Sequence, residues 1–201
     1  FVLGPWTHSG GSGEAFEIEN AQGGLFQWKE MLPWLEHHLK GKTLENPPGL
    51  YAFTMGENDW HHYEEWPGPI AKQTLSLNKL LASPGCDGGE LALEQGLSEP
   101  VSYQYDPLDP VPTKGGAGML AFILPNFEGA SPANVLQDGL CERQDVLTFV
   151  TSRLESSMLI AGKISVNLEV SSSAPDTSFT AKLIEVFADG SAVNIRDNIT
   201  S

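Results

Sequence analysis

Phe1-Val2-Leu3-Gly4-Pro5-Trp6-Thr7-His8 is the stretch on which the reading of the fold turns. Phe1, Val2 and Leu3 read as the end of a strand, Gly4-Pro5 breaks it, and His8 heads the polar run Ser9-Gly10-Gly11-Ser12-Gly13. A histidine on a loop just past a strand is a way to present a catalytic base, because its ring titrates near neutrality and the strand fixes the root of the loop. Further out, Leu25, Trp28, Leu32, Leu35 and Leu39 recur at spacings of three and four, which predicts one apolar helical face. Gly41 is the expected C-cap, and Lys40 suits the negative end of the helix dipole. Pro33 inside this pattern predicts a kink or a split, since it removes one ladder donor and clashes with the preceding turn.

From Leu44 onward the pattern turns to β. Gly49 to Met55 alternates around Tyr51 and Phe53, and Trp60 and Trp66 flank a polar loop closed by Pro67-Gly68-Pro69. Short apolar runs follow at 73–81, 101–105, 119–124, 145–151, 159–171, 179–187 and 192–195, with Gly, Pro and Asp between them. Many short strands so punctuated read as a sandwich or jelly roll. Ala188-Asp189-Gly190-Ser191, set between two apolar runs, is the clearest hairpin turn.

The 201 residues, 40% hydrophobic, suffice for a real core in one domain or one domain plus a remnant. Eleven basic against 26 acidic side chains give a formal charge of −15, which argues against nucleic acid and anionic membrane surfaces. No apolar run nears the ~20 residues of a membrane span. Cys86 and Cys141 are the two cysteines, too few for a disulfide scaffold or a four-ligand zinc site, and they say little about compartment. The cytoplasm is the default location, and a chain that opens in mid-strand carries no information on a leader peptide.

An apolar run, a Gly-Pro break and a loop histidine match the way an α/β-hydrolase presents its base. There the triad runs Ser, then Asp or Glu, then His along the chain, so the nucleophile and the acid are expected upstream of residue 1. Several further segments, in order, carry a more specific likeness. They are Trp34 to Gly41, Phe53 to Trp60 with Trp66-Pro67, Tyr105-Asp106-Pro107-Leu108-Asp109-Pro110-Val111-Pro112-Thr113 with Gly115-Gly116, Arg143 to Phe149, and Val170 to Thr177 leading into Ala181-Lys182-Leu183. With Gly4 to His8 they make the chain resemble the C-terminal portion of the CocE/NonD serine hydrolases, the cocaine-esterase and Xaa-Pro dipeptidyl-peptidase group. The resemblance covers essentially the whole chain. It implies the end of an α/β-hydrolase domain over 1–43, with the catalytic loop and last helix. A jelly-roll (galactose-binding-like) sandwich would follow over 44–201, with its last strands beyond Ser201. The hydrolase domain and helical cap missing from this chain would be its partners, and a small ester or peptide its substrate. No metal or organic cofactor is implied.

His8 is then the residue expected to carry chemistry, as general base towards a serine hydroxyl and general acid towards the leaving group. Ser9 and Ser12 are poor nucleophile candidates, because Gly10-Gly11-Ser12-Gly13-Glu14 lacks the last glycine of G-x-S-x-G and does not sit on a strand-to-helix elbow. Asp59, His61, His62, Glu64 and Glu65 are donors of metal-ligand type, but adjacent histidines on a strand face opposite ways and no H-E-x-x-H is present, so a solvated polar loop is expected. His37 and His38 fit a helix C-terminus, and Trp60, Tyr63 and Trp66 fit packing better than a sugar platform. In the long 122–141 loop the architecture implied by the resemblance makes Phe127 the candidate wall of the acyl pocket. Alone, the chain is expected to be inactive, with the stripe of Leu25, Trp28, Leu32 and Leu35 exposed. A different class of reading stays open: a non-catalytic β-sandwich binding or packing module, with His8 a relic.

Overall fold

The computed structural model describes residues 1–7, 15–16, 18–21, 23–44, 49–78, 86, 88–96, 99–116 and 133–200. Their architecture is mostly β with one α-helix. They fall into two compact units, one built from 1–68, 114–136 and 164–201, the other from 69–113 and 137–163.

The first unit begins with β1 (Val2–Leu3), followed by a 3₁₀ turn (Glu19–Ala21), α1 (Gly23–Lys40), β2 (Leu50–Thr54) and β3 (Asp59–Tyr63). β1 pairs in parallel with β2 through Val2↔Tyr51 and Leu3↔Ala52, and β2 pairs antiparallel with β3. Parallel neighbours need a crossover, and α1 supplies it, so 1–54 make a β–α–β unit.

Pro33 does not split α1, which runs unbroken for 18 residues. Lys29 and Pro33 both face solvent, so water can take the carbonyl that lost its ladder donor. The helix ends as expected at Gly41, whose φ of 66° is left-handed; its N–H bonds the His37 carbonyl at 3.0 Å. Lys40 and Lys42 both reach Glu36, at 3.1 and 2.8 Å, and hold its carboxyl below the usual range, Lys42 foremost. The apolar face stays open: Trp28 is 55%, Leu32 49% and Leu39 77% exposed. The side chain of Leu25 lies outside the described residues.

The same unit ends in a hairpin of β7 (Phe179–Val186) and β8 (Ala192–Thr200), a longer second strand than the sequence pattern predicts. Its turn forms where expected: Phe187 N–H bonds the Ser191 carbonyl at 2.8 Å, and Asp189 Oδ1 accepts from the Ser191 amide and hydroxyl. Val193, 1% exposed, is the largest fully buried side chain among the described residues. Beside it, Asn194 ties β8 to 133–135: its Oδ1 accepts from Val135 N–H at 2.9 Å and its Nδ2 donates to the Ala133 carbonyl at 3.0 Å. Bridges Leu136↔Val193 and Gly116↔Ala133 extend that seam.

The second unit holds β4 (Ser76–Asn78), β5 (Gly89–Ala92) and β6 (Phe149–Val150), with β5 central, antiparallel to β4 and parallel to β6. The expected strands at 73–81 and 145–151 are thus shorter, with 79–81 outside the described residues. The runs at 101–105 and 159–171 form no strand, because alternation without a paired neighbour leaves the backbone groups to water. The expected run at 119–124 lies outside the described residues. The pairing of the cysteines was not anticipated: Cys86 and Cys141 form a disulfide, with Cα atoms 4.6 Å apart.

Candidate functional site

His8 lies outside the described residues, as do Ser9, Ser12 and Phe127. What the structure does describe is the root from which His8 springs. The Phe1 nitrogen donates to the Gly49 carbonyl and Tyr51 N–H to the Phe1 carbonyl, both at 2.8 Å, so β1 is sewn to β2. At the end of β1 the chain turns at Gly4-Pro5, and Trp6 folds back so closely that a Cβ on Gly4 would overlap its ring. Trp6 Nε1–H donates to the Ala21 carbonyl, and the ring lies 5.8 Å from that of Trp60 on β3.

Trp60 is held in its turn. Its indole N–H donates to the Asn20 carbonyl at 3.0 Å, and its ring meets Phe53 of β2 edge-on at 5.3 Å. Asn20 Nδ2 donates to the Asn58 carbonyl at 2.8 Å, and Asn58 sits in the left-handed region, φ 54°, which asparagine tolerates better than most residues. Thus the turn before α1, the turn before β3 and the strand β2 converge on the residue two before His8. Beyond the loop, Phe16 lies 6.4 Å from Phe187, at the hairpin's turn.

The segment 60–63 is strand rather than polar loop, because each residue of β3 finds a partner on β2. His61 bonds Glu57 Oε2 at 2.8 Å, while His62 stacks 4.7 Å from Tyr51. Among the described residues no group of three or more His, Cys, Asp or Glu side chains is placed to hold a metal. On α1, His37 Nδ1 meets the Lys42 carbonyl at 2.7 Å, a closure of the helix end. Tyr63 packs edge-on against Trp66 at 5.1 Å.

In the second unit, Arg143 joins two of the segments that carry the family likeness. Its Nε and Nη2 grip Asp145 at 2.8 and 2.9 Å, and Nη2 also donates to the Asp109 carbonyl at 2.6 Å. Nη1 reaches the Asp109 carboxylate at 3.2 Å. The guanidinium is held protonated by Asp145 first and Asp109 second, and Arg143 keeps the Asp145 carboxyl below its usual value. With its guanidinium bonded to Asp145 and Asp109, the clamp is architecture. Sequence reasoning quoted both segments but gave the arginine no role, and it left Trp6, Asn20 and Asn58 unassigned. An asparagine following Gly56-Glu57, a residue type that tolerates the left-handed region, was the available signal for the last of these.

Taken as a class, the chain is a β-rich protein with a leading β–α–β unit. Its sequence from 42 to 200 matches the X-Pro dipeptidyl-peptidase C-terminal non-catalytic domain. The chain belongs to that family, and is the C-terminal portion of a CocE/NonD hydrolase. It is 33% identical over 207 residues to the cocaine esterase of a Rhodococcus species, covering 98% of this chain and 35% of the esterase. A Mycobacterium bovis protein provisionally named as a serine esterase is 26% identical, covering 98% of this chain and 30% of its own. The chain therefore spans about a third of the length of these relatives. An aminopeptidase structure from a marine-sediment thaumarchaeon is 28% identical with a TM-score of 0.37, covering 61% of this chain and 20% of its own.

Proposed function

We propose that this chain is part of a serine hydrolase that cleaves ester or amide bonds, among them Xaa-Pro peptide bonds, through a Ser-Asp-His triad. His8 is its one member in this sequence. The observation that carries the reading is the match to an esterase over 98% of the chain, a span too complete to omit the His8 segment. Supporting it, the β1–α1–β2 unit has the parallel pairing of an α/β domain, and loops at the carboxyl ends of such strands are where these folds place catalytic groups. His8 follows the carboxyl end of β1 by sequence. In the reaction His8 would take the serine proton as the oxygen attacks the carbonyl, then return it to the leaving alcohol or amine; water would repeat the cycle on the acyl-enzyme. The serine, the acid and the oxyanion donors would come from the preceding hydrolase domain, so the isolated chain should be inert.

The second reading, a non-catalytic packing or binding module, has a specific observation in its favour: the matched domain is described as non-catalytic. The two readings divide the chain between them, since that match begins at residue 42 and His8 precedes it. A single comparison tests the division. In the full-length protein, His8→Ala should cut hydrolysis of a p-nitrophenyl ester and of an Xaa-Pro anilide by about a thousandfold or more, as loss of a triad member does. Unchanged turnover would make His8 a relic and leave the packing reading.

A further inference from the structure

We infer that the Cys86–Cys141 disulfide is a thiol–disulfide exchange site, entered at Cys86 by an external thiol or dithiol, and that its redox state sets the Arg143 clamp. All the groups involved belong to the second unit, and none of them enters the hydrolase reading above. Arg143 sits on the stretch 141–148, which is tied to 86–89 at both ends. At one end the disulfide holds the Cα atoms of Cys86 and Cys141 4.6 Å apart. At the other, Gly89 N–H donates to the Thr148 carbonyl at 2.7 Å, and Gly88 lies so close to that carbonyl that a Cβ would overlap it. This second tie is short, since β6 has two residues and pairs only through Gly89↔Phe149 and Glu90↔Val150. The disulfide therefore holds the end nearer the arginine. Cys141 lies in the 3₁₀ turn Leu140–Glu142, and Arg143 N–H bonds the Leu140 carbonyl of that same turn at 3.3 Å.

What the clamp holds is a small closed turn. Asp109 N–H bonds the Asp106 carbonyl at 3.1 Å and Leu108 N–H the Asp106 carboxylate at 2.9 Å, with Leu108 at the tip, 93% exposed. No strand forms between 99 and 113, and Arg143 fixes the turn to 143–145 by donors at 2.6 and 3.2 Å, which tolerate little displacement of their root. The two sulfurs differ in access: Cys86 is exposed and Cys141 half-buried. An exposed disulfide is one that thiols can reach, and such bonds are the labile ones. A thiolate attacks Cys86 Sγ, the S–S bond breaks, and its electron pair leaves on Cys141 Sγ, which takes a proton from water. The second thiol of a dithiol then attacks the mixed disulfide and releases Cys86. The reagent ends as a disulfide, and the protein gains two electrons and two protons. With the tie at Cys141 open, the turn that aims Arg143 loses its covalent anchor and Asp109 is let go.

The test uses the full-length protein under native conditions, with glutathione as the monothiol and dithiothreitol as the dithiol. Free thiols are trapped by alkylation and mapped by mass spectrometry, and amide exchange is followed in parallel. Glutathione should be found on Cys86, with Cys141 alkylated. Dithiothreitol should free both and accelerate exchange at the Leu108 and Asp109 amides about tenfold or more, to rates above those of the β5 amides (Gly89–Ala92). The Cys86→Ser/Cys141→Ser pair should match the reduced protein without any reductant. Arg143→Gln should show the fast exchange before reduction and gain less than about twofold from it, since its clamp is already gone. Cysteines that alkylate only after denaturation would overturn the exchange site, and glutathione on Cys141 would overturn the entry point. Leu108 and Asp109 amides that keep their oxidised rates in the reduced protein would overturn the link to the clamp. So would one common rate for these and the β5 amides, the mark of a unit that unfolds whole.

Discussion

In the unit made of 1–68, 114–136 and 164–201, order comes from backbone pairing over long stretches. Strands of eight and nine residues form its hairpin, and the side-chain amide of Asn194, itself 2% exposed, stitches that hairpin to 133–135. The unit made of 69–113 and 137–163 has strands of only three, four and two residues, and Leu140 is its one buried apolar side chain among the described residues. There the work passes to cross-links: the Cys86–Cys141 disulfide and the Arg143 clamp. A short-stranded fold can substitute covalent and ionic ties for the ladder it lacks, but it then inherits their sensitivities to redox state and pH.

The largest test of that contrast is reduction. The disulfide closes a loop with a sequence separation of 55, for which the chain-entropy estimate is about 4 kcal/mol. Dithiothreitol, or the Cys86→Ser/Cys141→Ser pair, should therefore destabilise the second unit by about that amount. Hydrogen exchange at the β5 amides (Gly89–Ala92) should accelerate while β7 amides (Phe179–Val186) hold their protection. Equal acceleration in both would show that the two units do not stand by separate means.

A smaller effect is expected at Asn194, on the other side of the comparison. Asn194→Ala removes the side-chain acceptor of the Val135 N–H and one of two donors to the Ala133 carbonyl, which keeps the Gly116 N–H, for a loss of about 1–3 kcal/mol. The exchange signature should reverse, with β7 and β8 opening and β5 unchanged. Protection retained at β8 would mean that strand pairing alone holds the hairpin.

What the sequence made legible follows the same division. The 179–200 hairpin could be read because Asp189 and Gly190 dictate its turn locally, and the end of α1 because Gly41 does the same. The run at 159–171 alternates as well as β7 does, yet it forms no strand, since alternation states which face is apolar and not whether a neighbour exists. The disulfide and the grip of Arg143 on Asp109 join residues far apart in sequence, which no local pattern can announce. At the site, the sequence offered the Gly4-to-His8 motif, whose histidine lies outside the described residues. The Trp6–Trp60 anchor could not be read, because it depends on where β3 falls against β2.

The smallest expected effect concerns the ionic tie. Arg143 depresses the Asp145 carboxyl chiefly through their paired hydrogen bonds, so the contact contributes stability above the ordinary carboxylate range, near pH 4, and loses it as pH falls through the lowered folded value. Arg143→Gln should accordingly unfold the second unit more easily at pH 7, and its difference from wild type should shrink as the pH drops below about 4 and Asp145 is protonated in both. Arg143→Lys should fall between, because an ammonium cannot grip Asp145 with two parallel donors while reaching the Asp109 carbonyl. The first unit offers the control. Its Lys182 is pushed down chiefly by burial, so the penalty for holding that charge is present in acid and at neutrality and is relieved only as pH rises through its lowered value. Denaturant titrations followed at β5 and β7 amides from pH 3 to 10 would separate these limbs. An acid limb in the second unit that survives Arg143→Gln would mean that its pH sensitivity comes from other carboxylates, and that the disulfide alone distinguishes the two units.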